Sequence, residues 1–90
     1  MTAAEKMAAL LARTPTPLLV ETLVGLDAMP SDPDRNLARG RTIEELERRY
    51  PAASSAVEAA FAEAEARIEA GGTGEVDYVA VLVAAIPKEF

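Results

Sequence analysis

The 90-residue chain contains no cysteine, no histidine and no tryptophan. Without cysteine there is no disulfide framework, no thiolate metal site and no thiol nucleophile. Without histidine the commonest general base and the commonest transition-metal ligand are missing. Aromatic residues are few: Tyr50, Phe61, Tyr78 and Phe90. Long apolar runs are also absent. The longest, Tyr78–Pro87, covers half of the roughly 20 residues that a membrane-spanning helix needs. The N-terminus carries Glu5 and no basic stretch ahead of an apolar run, so it does not read as a signal peptide, and a cytoplasmic protein is expected.

What the chain has is alanine, 19 of its 90 residues. Alanine favours helix and lets helices approach closely, but it buries little area per residue. A chain this short makes one small helical domain, residues 1–90, with a thin core. The richest apolar stretch is Pro17–Met29, PLLVETLVGLDAM. Between Leu18 and Leu26 only Glu21, Thr22 and Gly25 are not large aliphatics. A helix apolar around most of its circumference needs neighbours on several sides. The expected fold is therefore all-α, a compact bundle of about five helices around Pro17–Met29. Where the chain leaves that helix uncovered, a second subunit is expected to cover it.

The other elements follow from caps and breakers. Thr2 and Glu5 form a capping box for a first helix over about Ala3–Arg13, with Met7, Leu10 and Leu11 as its stripe. Pro15 and Pro17 impose an extended link, with Thr16 as the expected cap of the central helix. Ser31 or Asp32 caps a third helix over Pro33–Tyr50, whose face is Leu37, Gly40, Ile43, Leu46 and Tyr50. Thr42 and Glu45 offer a second capping box behind Gly40, so a break there is the alternative; one helix is favoured, with Gly40 admitting a neighbour. A fourth helix, capped by Tyr50 or Ser54, runs to Ala70 with Val57, Ala60, Phe61, Ala64 and Ile68 at helical spacing, and Gly71-Gly72 ends it. Glu75–Ile86 is rich in β-branched residues but has no strand partner, so it reads as a helix stopped by Pro87.

Few constellations carry chemistry. Asp32, Asp34 and Asn36 open like a calcium loop, but Leu37 stands where glycine is needed and Ile43 where a bidentate glutamate is needed, so capping accounts for the acids. Serines lack a base: Lys6 and Lys88 lie near opposite ends of the chain. The carboxylates fall on exposed helical faces, where their pKa values are expected to stay ordinary. Gly71-Gly72-Thr73-Gly74 lacks the Gly-Lys-Ser/Thr of a phosphate loop. Neither an enzyme nor a bound cofactor or metal is expected.

Arg35, Arg39, Arg41, Arg48 and Arg49 crowd the third helix. Arg35, Arg39 and Arg41 are the candidate polar contacts. Glu44 with Arg48 and Glu45 with Arg49 have the favourable i, i+4 orientation for pairing along the helix. Net charge is −6, which argues against nonspecific nucleic-acid binding and leaves a protein partner as the better match. The expected function is a non-enzymatic protein–protein interaction or assembly module, self-associating as a homodimer. Leu18, Val20 and Val24 with Val79, Leu82 and Val83 form the candidate interface. The alternative is a regulator that binds nucleic acid, or occludes a nucleic-acid-binding protein through an acidic face.

Arg41–Phe61, RTIEELERRYPAASSAVEAAF, resembles a segment of short, largely uncharacterised helical proteins of actinobacteria, their phages and mobile elements. The pattern I-x-x-L-E-x-R-x-P, carried here by Ile43, Leu46, Glu47, Arg49 and Pro51, links two helices in them. The resemblance implies a helical accessory protein and brings no activity or site residues.

Overall fold

The computed structural model describes residues 2–87, and these are all-α: five helices and, among the described residues, no strand. The chain divides into two units at Arg49/Tyr50. Lys88 and Phe90 lie outside the described residues.

The first unit holds α1 (Ala3–Ala12), α2 (Thr16–Asp27) and α3 (Pro33–Arg49), and α3 packs against both of the others. The capping box starts α1: Glu5 N–H donates to Thr2 Oγ1 at 3.1 Å and Thr2 N–H to Glu5 Oε1 at 3.4 Å. α2 begins one residue earlier than its sequence suggests. Extended Pro15 is the cap, with no side-chain bond, because Thr16 is already helical and its hydroxyl accepts from Arg49 instead. α3 runs unbroken through Gly40. Asp32 caps it, accepting from Arg35 N–H at 3.0 Å. The Thr42–Glu45 box does not form. Thr42 Oγ1 donates back to the Ala38 carbonyl at 2.8 Å, and Glu45 is taken by arginines.

Buried positions are fewer than the apolar stripes. α2 buries Leu19 and Leu23, and α3 buries Thr42, Ile43, Glu45 and Leu46. Leu37, assigned to the inner face of α3, is exposed. No neighbour closes on Gly40 either: a Cβ there would meet nothing within 4 Å.

The second unit pairs α4 (Pro51–Glu69) with α5 (Tyr78–Ala84). Tyr50 stands at the cap of α4 with Pro51 at its first position. Gly71, at φ +88°, ends α4 in a conformation that a side chain would resist. Its N–H donates to the Ile68 carbonyl at 3.0 Å and Gly72 N–H to Arg67 at 2.7 Å, which satisfies the last carbonyls. The expected α4 stripe splits. Val57 and Ala64 are buried, as is Ala53 outside that stripe, whereas Phe61 and Ile68 are exposed. Phe61 meets the Tyr78 ring at 6.0 Å between centroids, tilted by 57°. Ile68 lies over Gly74, where any Cβ would run into it. α5 is shorter than Glu75–Ile86 because Asp77 caps it, accepting from Ala80 N–H at 3.1 Å, and it ends at Ala84, ahead of Pro87.

Leu46→Ala should lower stability by about 2–5 kcal/mol, since Leu46 is fully buried. Gly40→Ala should raise it by roughly 0.5–1 kcal/mol, because the methyl enters open space in mid-helix. Urea unfolding monitored by circular dichroism measures both. A destabilised Gly40→Ala variant would show that something does close on that position.

Candidate functional site

The arginines of α3 find their partners within the chain: Arg35 and Arg49 bond backbone carbonyls, and Arg39, Arg41 and Arg48 pair with carboxylates. Arg35 donates from Nε to the Leu26 carbonyl at 2.8 Å and from Nη2 to that of Asp27 at 3.2 Å. A cation on the last carbonyls of α2 also complements the negative end of that helix's dipole. Arg39 Nε pairs with the Asp27 carboxylate at 3.0 Å. Both candidate contacts thus tie α3 to α2. Arg41 pairs along the helix with Glu44 at 2.9 Å, and its Nε is enclosed without a hydrogen-bond partner.

Two of the three calcium-like residues have structural roles. Asp32 is the α3 cap, and Asn36 accepts from Arg35 Nη1 at 2.7 Å while donating to Ser31 Oγ at 3.0 Å. Among the described residues no group of three or more His, Cys, Asp or Glu side chains is placed to hold a metal ion.

Glu45 is the buried charge of α3. It is only 9% exposed. Arg48 donates to it from Nε at 3.2 Å and from Nη2 at 2.5 Å, and Arg49 from Nε at 2.6 Å. Arg49 then reaches beyond α3: Nη1 to Thr16 Oγ1 at 3.2 Å, and Nη2 to the carbonyls of Leu11 at 2.9 Å and Ala12 at 3.2 Å. One guanidinium therefore joins the end of α1, the start of α2 and the end of α3. The Arg48 hydrogen bonds hold the Glu45 carboxyl below its ordinary pKa; burial opposes this and Arg49 reinforces it. Glu45 in turn raises Arg48. A carboxylate kept ionised is a poor proton donor at neutral pH.

The sequence named the Glu45–Arg49 pair but placed it on a solvated helical face. Its sign of burial was the i, i+4 spacing beside Leu46; its reach to α1 had no sequence signal. Glu44 and Arg48 do not pair, since Arg41 takes the one and Glu45 the other.

The candidate interface separates into two groups. Leu18 and Val24 are each 51% exposed, and Val20 and Val83 are half-buried. Val79 and Leu82 are buried, so they have no surface to offer a second chain. Their i, i+3 spacing, continued by buried Ile86, makes them the inner row of the α5 segment in the second unit. Of the two lysines, Lys88 lies outside the described residues. No helix among the described residues is long and apolar enough to cross a membrane.

No family model, no curated protein and no solved structure matches the chain.

Glu45 generates a pH dependence of definite sign. Its folded pKa is lowered, so its contribution to stability is fully present above the ordinary carboxylate value. That contribution is lost as pH falls through the lowered folded value. Glu45→Gln should therefore be less stable than the parent at pH 7 and should lose less on going to about pH 3. Urea midpoints at the two pH values give the comparison; parallel losses would mean that Glu45 is not the group responsible.

Proposed function

We propose that this protein is a non-enzymatic interaction module of the cytoplasm that self-associates, as a homodimer or as a subunit of a larger assembly. It would be a helical accessory protein of the kind that the Arg41–Phe61 resemblance implies. The observation that supports this is the narrowness of the buried row on α2. Only Leu19 and Leu23, one row at i, i+4, are fully covered. Leu18 and Val24 remain half in water. Six residues along a helix turn through about 600°, so these two flank the buried row on opposite sides rather than forming one patch. Val20 shares the flank of Val24. Apolar edges on both flanks are what a helix carries when more than one neighbour is meant to cover it.

The nucleic-acid alternative has weaker support. Arg35 and Arg39 are already bound to α2, and removing them to reach phosphates would strip the α2 terminus of its partners.

Light scattering coupled to size exclusion tests the proposal. A mass about twice the 9.5 kDa of the chain is expected at high protein concentration. Leu18→Glu and Val24→Glu should each weaken the assembly without unfolding the chain, since both side chains are already half-exposed. A 9.5 kDa species throughout the concentration range would overturn the self-association.

A further inference from the structure

α1 packs against α3 yet contributes no fully buried side chain. Its most covered large residues, Met7 and Leu11, are half-buried, and Leu10 is exposed. Its termini are largely satisfied from within. Thr2 and Glu5 close the N-terminus. Arg13 Nε donates to the Ala9 carbonyl at 3.3 Å, and Thr14 Oγ1 to that of Leu10 at 2.8 Å. Between described residues, side-chain bonds from Arg49 to the Leu11 and Ala12 carbonyls bring α1 to α3.

We propose that α1 is a releasable arm of the first unit, with Arg49 as its catch and Glu45 as the group that aims the catch. The argument is one of unequal attachment. α2 and α3 have ties that do not involve Arg49: the Arg35 bonds to the Leu26 and Asp27 carbonyls, the Arg39–Asp27 pair, and buried Leu19 and Leu23 on α2. Among the described residues α1 has half-covered side chains and the Arg49 guanidinium. The hinge is built in. Pro15 is extended at φ −60° and ψ 145°, so α1 and α2 do not run on as a single rod. When Arg49 lets go, α1 leaves α3 and the α2–α3 pair stays closed. A freed ten-residue helix is below the length that is stable alone in water, so release is an order-to-disorder step of the arm. The step uncovers Met7, Leu11 and the side of α3 beneath them, a surface that the closed form withholds.

Amide hydrogen exchange reads the arm directly. In the parent protein the amides of residues 8–12 should exchange at least about tenfold faster than those of residues 42–46. Arg49→Lys keeps the charge but loses the planar fork that serves several acceptors at once. It should speed exchange in residues 8–12 by a further tenfold or so while α2 and α3 change by less than about threefold. Glu45→Gln should act in the same direction, more weakly. Met7→Ala separates the catch from ordinary packing: if it frees α1 as much as Arg49→Lys does, packing is what holds the arm and the proposal fails. Equal protection of α1 and α3 in the parent, or a uniform loss of protection across all three helices in Arg49→Lys, would also overturn it. The parent comparison stands even if Arg49→Lys does not fold.

Discussion

The Glu45–Arg49 ion pair is the interaction that gathers the three helix ends of the first unit. Neither partner is comfortable alone. A carboxylate this enclosed needs its three arginine hydrogen bonds, and an arginine serving two helix ends needs something to fix its fork. Together they orient Nη1 and Nη2 onto acceptors 33 to 38 residues away. Buried pairs of this sort add modestly to net stability, because desolvation offsets the attraction. What they supply is position: one arrangement of three helix ends lets Arg49 serve Glu45, Thr16 and the carbonyls of Leu11 and Ala12 together, and displaced arrangements leave the enclosed Glu45 carboxylate short of a partner.

Arg35 repeats the device at the other end of α2. It sits at the start of α3 and closes the carbonyls where α2 ends. Basic residues of α3 thus fasten α2 at both ends, Arg35 at its last carbonyls and Arg49 at the Thr16 hydroxyl. This explains how a unit with few fully buried large side chains specifies its geometry. Where alanine replaces leucine and little area is removed from water, directional bonds to backbone take over part of the work of choosing one packing.

The helical class and most boundaries were legible because they rest on local chemistry. The Thr2–Glu5 box, Pro33, Pro51 and Gly71 act within a few residues of where they stand. The misassignments share a cause. Leu37, Phe61 and Ile68 fall on inward-facing stripes by spacing, yet spacing says which residues share a face and not how much of that face a neighbour reaches. Thr16 was read as a cap for want of knowledge that a distant arginine would claim its hydroxyl. Val79 and Leu82 were offered as an interface because apolar residues in a short segment look the same whether their cover comes from the same chain or another. The arginine cluster is the clearest case: composition shows the charges, but only tertiary structure shows that Arg35 and Arg49 reach carbonyls of α2 and α1.

The contact between Ile68 and Gly74 has a meaning for sequence drift. Ile68 stands in the last turn of α4 and Gly74 in the loop that follows, and a Cβ at 74 would occupy the space that the end of the Ile68 side chain now fills. The two positions are coupled rather than locked, because that end of Ile68 is exposed and can turn aside. A side chain at 74 displaces Ile68 from its present place, and a smaller residue at 68 relieves the crowding. Covariation between the two columns is therefore the mark that this turn should leave in a family descended from the same fold.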